Sequence, residues 1–213
     1  MSQLLLEASL ADVDDCTKEF VCLLHAKPIA SLDAMELSIY SLFDDSVGID
    51  VERTDVEFQL AAFIGKGVGV SQCQTVYARC SSSYEETKAP MEIDRGRRFG
   101  RSVEVEGVKV QDLLLKASVN DVDDCAKNFV CQLNTKSIES MDSVEQTLLA
   151  IYGQDASIDV SRSDVEFQLA ANVGRLAGAE QCQTVYARCP MEYDQLLQTF
   201  EGKFTSSETL NQL

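Results

Sequence analysis

Apolar residues recur at helical spacing along much of the chain. Between Ala11 and Lys27, the positions Val13, Cys16, Phe20, Val21 and Leu24 follow the i, i+3, i+4 rhythm of one buried helical face. From Ser31 to Phe43 the inward positions are Leu32, Met35, Ile39, Leu42 and Phe43. Asp44 to Arg53 is polar, contains Gly48, and reads as a connecting loop with one extended turn. Thr54-Asp55-Val56-Glu57 has the S/T-x-x-E form of a capping box and predicts a third helix through Phe58, Leu60, Ala61 and Ile64. That helix is expected to stop at Gly65, a residue suited to a left-handed C-cap. A fourth helix carries Cys73, Val76, Tyr77 and Cys80 at i, i+3, i+4 and i+7.

The whole pattern then returns. Gln72 to Cys80 and Gln181 to Cys189 are the same nine residues, and the same offset of 109 sets Cys16 on Cys125, Cys22 on Cys131 and Asp55–Ala62 on Asp164–Ala171. The chain is a tandem duplication with about half the positions from Cys16 to Cys80 identical in the second repeat. The expected architecture is all-α, two tandem repeats of a small disulfide-stapled four-helix bundle. Residues 1–84 form the first repeat, 85–109 a linker and 110–213 the second repeat with its tail. Ser81 to Ala89 reads as an insertion at the surface, because Pro90-Met91-Glu92 matches Pro190-Met191-Glu192, which follows the last cysteine at once. Val103 to Val110 alternates as a short strand would, or is an extended linker. Tyr193 to Phe200 is expected to be a weak, fraying helix.

Eight cysteines, four per repeat at matched spacing, are the arithmetic of a disulfide framework in small domains. A zinc site would bring Cys or His pairs two to four residues apart, and the single His25 becomes Asn134 in the other repeat. Residues six or seven apart on one helix rise about 9 to 10.5 Å, beyond the roughly 7 Å reach of a disulfide. Bonds within a helix are therefore excluded. An up-down helix order makes the first and fourth helices antiparallel and pairs Cys16 with Cys80, Cys22 with Cys73, Cys125 with Cys189 and Cys131 with Cys182.

The formal net charge is -17. Nucleic-acid binding requires the opposite sign, and anionic membrane surfaces are disfavoured for the same reason. No apolar run reaches the roughly 18 residues of a membrane span. The start, Met1 to Glu7, lacks the regions of a signal peptide, so either the chain is intracellular or Met1 precedes a mature secreted sequence. The cysteine pattern favours a secreted, extracellular protein. Arg95, Gly96, Arg97 and Arg98 form a basic cluster that matches a secretory processing site, or alternatively docks on acidic faces of the repeats.

Candidate chemistry is sparse. Cys-His catalysis is not supported, since His25 is not kept in the second repeat. Asp55 and Glu57 are paired carboxylates whose place in the capping box already accounts for them. The three acids Asp12, Asp14 and Asp15, returning as Asp121, Asp123 and Asp124, suit a helix N-terminus and lack the spacing of a calcium loop. Gly65 to Gly69 is glycine-rich but follows a helix, not a strand, so no phosphate cradle is expected. Tyr77 and Arg79, with Tyr186 and Arg188, are the same in both repeats, and Arg79 is expected to pair with Asp12 or Asp15. No catalytic residue, metal or cofactor is assigned.

The order Cys-x5-Cys, then Phe-x-Leu-Ala-Ala-x-x-Gly, then Cys-x6-Cys with Tyr-Ala-Arg before the last cysteine resembles a family of small secreted arthropod proteins with four cysteines. The resemblance covers Cys16–Cys80 and Cys125–Cys189 and implies a compartment and a source class, with no activity attached. Saposins are similar in stapling helices at both ends, but have six cysteines with a tighter first pair, so lipid binding is not carried over. The expected function is a non-catalytic extracellular structural or protein-interaction protein, part of a secreted material or assembly, with protein partners or self-assembly. The alternative is a carrier enclosing a small apolar ligand or lipid between its helices.

Overall fold

The computed structural model describes residues 12–43, 48–92, 121, 123–142, 145–146, 149–150 and 157–199. Its described elements are all helical. In the first repeat these are α1 (Cys16–His25), a 3-10 turn (Ile29–Ser31), α2 (Ala34–Leu42), α3 (Val56–Gly67), α4 (Val70–Val76) and α5 (Tyr84–Glu92). The second repeat gives α6 (Cys125–Leu133), a 3-10 turn (Ile138–Ser140), α7 (Val165–Ala177) and α8 (Ala179–Val185), with residues 193–199 also helical. Among the described residues no helix is long and apolar enough to cross a membrane.

Each start signal has a physical agent, though not always the expected one. Asp12 caps α1 from outside, its two carboxylate oxygens accepting the amides of Thr17 (2.8 Å) and Lys18 (3.0 Å), and Asp121 does the same for Ala126 and Lys127. The α2 helix opens at Asp33, not Ser31. Asp33 and Glu36 close a capping box at 2.9 Å in both directions, while Ser31 belongs to the 3-10 turn before it. The third helix begins one residue later than expected, after Asp55, without a side-chain cap. Asp55 is held instead by Arg53, and Asp164 by Arg162.

Two further expectations are corrected. Gly65 is no left-handed C-cap, since α3 runs on to Gly67. Its role is to let helices touch: a Cβ on Gly65 would collide with the carbonyl oxygen of Cys22 on α1, and one on Gly174 with that of Cys131. Among the described residues the left-handed glycines are Gly48 (φ 103°), before α3, and Gly69 (φ 96°) and Gly178 (φ 86°), where the chain turns into α4 and α8. The helix at the repeated run is also shorter than expected. It ends at Val76 and turns through Tyr77–Arg79, leaving Cys80 outside.

Ser81 to Ala89 is likewise not an inserted surface loop. It carries the first residues of α5, which runs past the boundary expected at residue 84, and the offset of 109 continues unbroken from Tyr84 to Tyr193. Tyr84 stacks on Phe20 at 4.7 Å and Tyr193 on Phe129 at 5.3 Å. Their hydroxyls donate to Glu36 (2.7 Å) and Glu145 (2.6 Å), while Lys27 and Lys136 lie over the rings. The segment 193–199 does not merely fray on the surface: Leu196 is buried against Phe129, Leu133 and Met141.

The sulfurs are joined Cys16–Cys80, Cys22–Cys73, Cys125–Cys189 and Cys131–Cys182, with no cysteine free. Every bond therefore lies within one repeat. The apolar core, by contrast, runs through both: Phe20, Leu24, Phe58, Leu60 and Ile64 belong to one continuous cluster with Val165, Phe167, Leu169 and Val173. Burying each such large side chain stabilises by about 1.5–3 kcal/mol, and here the two repeats supply that burial jointly, with α3 meeting α7. Arg95, Arg97 and Arg98, and Val103 to Val110, lie outside the described residues.

Candidate functional site

Where the repeats meet, the interior is ionic. Lys18 and Lys127, equivalent across the offset, are both wholly buried. Lys18 Nζ lies 2.6 Å from Asp15 and 3.4 Å from Glu57. Lys127 Nζ lies 2.6 Å from Asp124, and 3.6 Å from both Glu166 and Glu57. A buried ammonium is tolerable only with close carboxylates. Burial pulls each lysine's pKa down, but the carboxylates outweigh it: Asp15 and Glu57 raise Lys18, and Glu166, Asp124 and Glu57 raise Lys127. Both amines are charged.

The arginines of the repeated run complete the set. Arg79 donates from Nε and Nη2 to Asp15, the former at 2.7 Å, and Arg188 from the same two atoms to Asp124, the former at 2.6 Å. Burial pushes the Asp15 carboxyl up, yet Lys18, Lys127 and Arg79 hold it below the usual carboxylate range; Lys127, Lys18 and Arg188 do the same for Asp124. Four carboxylates, those of Asp15, Glu57, Asp124 and Glu166, thus face four cations, those of Lys18, Arg79, Lys127 and Arg188.

Two pairs of hydrogen bonds that cross between repeats are reciprocal. Arg79 Nη1 donates to the Asp121 carbonyl (2.7 Å), and Arg188 Nη1 to the Asp12 carbonyl (2.8 Å). Gln72 Nε2 donates to the Arg162 carbonyl (2.9 Å), and Gln181 Nε2 to the Arg53 carbonyl (3.0 Å). If residue i meets j and the equivalent of j meets the equivalent of i, the two surfaces are related by a two-fold axis. The repeats are paired face to face around that axis.

No family model, no curated protein and no solved structure matches this chain. Among the described residues, no group of three or more His, Cys, Asp or Glu could hold a metal ion. His25 is a packing residue: its Nδ1 lies 2.8 Å from the Val21 carbonyl and its ring stacks on Tyr40 at 4.3 Å. Asp55 and Glu57 do not form a pair facing a cleft. Asp55 is taken by Arg53 and Gln59, and Glu57 by the buried lysines.

Of the two partners expected for Arg79, Asp12 and Asp15, the fold supplies Asp15, while Lys18 and Glu57, together with Lys127 and Glu166, are not singled out by the sequence reading. A signal was present. Lys18 shares a short helix with Phe20, Val21 and Leu24, and it is unchanged at Lys127 although its neighbours Thr17 and Glu19 become Ala126 and Asn128. A retained lysine among changing neighbours has a fixed partner, and only the fold shows that the partner includes the other repeat.

Proposed function

We propose that this chain is a non-catalytic extracellular structural and protein-interaction protein, whose duplicated, disulfide-held helical domains serve within a secreted assembly. One observation carries the reading: the charged residues shared by both repeats at their interior converge on the junction between them. Asp15, Lys18, Glu57 and Arg79, with Asp124, Lys127, Glu166 and Arg188, are engaged with one another. A general acid or base needs a proton-exchanging group within reach of a substrate, whereas Asp15, Lys18, Asp124 and Lys127 are held charged by their neighbours. What duplication has kept serves cohesion.

Four disulfides point to an extracellular or secreted protein, since such bonds persist in oxidising compartments. A carrier of an apolar ligand would use the space between helices, but at the meeting of the repeats that space holds ammonium, guanidinium and carboxylate groups. The strongly acidic composition favours solubility and cationic partners. Two alike faces on one chain give a component that can bridge.

The test is where the native protein resides and in what redox state. Alkylation of source tissue before lysis, followed by intact mass, is expected to find the protein in extracellular material with all eight cysteines protected from the reagent. A cytosolic protein with alkylated thiols would overturn the proposal. So would turnover of any substrate that is lost on Glu57→Gln while the fold is retained.

A further inference from the structure

From the reciprocity of the junction we infer that each repeat presents a self-complementary surface, whose partner can be the matching repeat of another molecule of this chain as well as its own second repeat. Chains then join by exchanging repeats. This inference concerns the junction alone and does not depend on where the protein resides or what it binds.

Three observations carry it. The hydrogen-bond donors that cross the junction are the same residues on both sides: Gln72 and Gln181, Arg79 and Arg188. Their acceptors are main-chain carbonyls at equivalent positions, Arg53 and Arg162, Asp12 and Asp121. A first repeat set in place of the second would therefore offer every one of these contacts again. The same holds for the apolar part, because Val56, Phe58, Leu60, Ala61 and Ala62 recur as Val165, Phe167, Leu169, Ala170 and Ala171, all buried.

The second observation is covalent. All four disulfides close within a repeat, at sequence separations of 64 and 51, and no cysteine is free. The chain between residues 92 and 121 is the one covalent tie between repeats, so exchange breaks no bond. The third is energetic: the apolar cluster draws Phe58 and Leu60 from one repeat and Phe167 and Leu169 from the other, so separation would expose side chains that the two repeats bury jointly. A repeat without a partner exposes a large apolar face, which favours re-pairing with whatever equivalent face is nearest.

The experiment uses the full oxidised chain carrying one engineered protease site between residues 93 and 120, folded before it is cut. Natural-abundance and 15N-labelled proteins are cut, mixed, loosened in sub-denaturing urea and returned to buffer. Native mass spectrometry then counts pairs. The expected result is that cut repeats remain paired and that first-with-first and second-with-second pairs appear beside the original kind. Arg79→Ala with Arg188→Ala should reduce the paired fraction about tenfold or more, and Gln72→Ala with Gln181→Ala, a milder change, should reduce it less. Separation of the cut repeats into single bodies would overturn the inference. So would persistent pairing in which only first-with-second pairs form.

Discussion

Lys127, wholly buried in the second repeat, stands at one distance, 3.6 Å, from Glu57 of the first repeat and from Glu166 of its own. A single ammonium thus serves two carboxylates that belong to different repeats, and Asp124 anchors it at 2.6 Å. Without it, three buried carboxylates lose their shared cation. Lys127→Met keeps the length and apolar stem of the side chain, so the change isolates the charge. Removing one partner of a buried ion pair costs about 3–5 kcal/mol. Urea denaturation of Lys127→Met should show a loss of that order; a loss within the range of a surface substitution would mean that the junction is not held by these ions.

Much of the helical order is legible in the sequence because the apolar faces of α1, α3 and α7 repeat at the helical period. The disulfide partners are legible too: helical rise forbids a bond between Cys16 and Cys22, and the antiparallel order expected of the first and fourth helices selects Cys16–Cys80 and Cys22–Cys73 from the two pairings that remain, although the helix carrying Cys73 ends before Cys80. What misleads is local explanation of residues that act at a distance. Thr54 and Glu57 have capping-box spacing, yet Glu57 is claimed by Lys18 and Lys127 from two other helices. Gly65 sits near a helix end and suits a left-handed cap, while its true constraint is the Cys22 carbonyl on α1. Pro90-Met91-Glu92 and Pro190-Met191-Glu192 share letters and suggest an equivalence that hides Tyr84, whereas the stacked pairs Phe20–Tyr84 and Phe129–Tyr193 carry the true one.

Gly65→Ala separates two opposed expectations. In a helix interior, alanine is favoured over glycine by about 0.5–1 kcal/mol. At this position, however, the added methyl would meet the Cys22 main chain, which cannot swing aside as a flexible side chain would. Overpacking of this kind costs about 1–3 kcal/mol. Gly65→Ala and Gly174→Ala are each expected to lower the thermal midpoint, and an increase for either would remove the close-approach argument for that helix pair.

The two bonds of each repeat differ in access. Cys22 and Cys73 have no exposed surface, and neither have Cys131 and Cys182, whereas Cys16, Cys80, Cys125 and Cys189 are partly exposed. Thiol–disulfide exchange requires the attacking thiolate to reach sulfur. Under graded dithiothreitol at native pH, the Cys16–Cys80 and Cys125–Cys189 bonds should open first, as peptide mapping after differential alkylation would show. Once the inner bonds open as well, the lost loop constraints amount to about 4 kcal/mol each in the chain-entropy model, and cooperative unfolding should accompany the second step. Simultaneous loss of all four bonds would show that reduction proceeds only through global unfolding.

Glu19 gives the repeats unequal responses to pH. Burial pushes its carboxyl up from an ordinary value of 4.5 to about 7, and its equivalent in the second repeat is the neutral Asn128, which accepts a hydrogen bond from Gln132 at 3.0 Å. A folded-state pKa above the unfolded one means that the folded protein holds the proton more tightly. The stabilising contribution is therefore complete below about pH 4.5 and is lost as pH rises through about 7. The junction carboxylates act in the opposite sense. Asp15 and Asp124, held below their ordinary value by the lysines and arginines, stabilise above the usual carboxylate range and lose that contribution as pH falls beneath it. Thermal midpoints should accordingly fall by on the order of a few degrees between pH 5 and pH 8, and fall again in strong acid. In Glu19→Gln the first decline should flatten and the second should remain, because Asp15, Asp124 and their cations are untouched. Asp12 and Asp121, which burial raises, stay in the variant and own any residual slope between the two. A full decline from pH 5 to pH 8 in Glu19→Gln would assign the effect to another group.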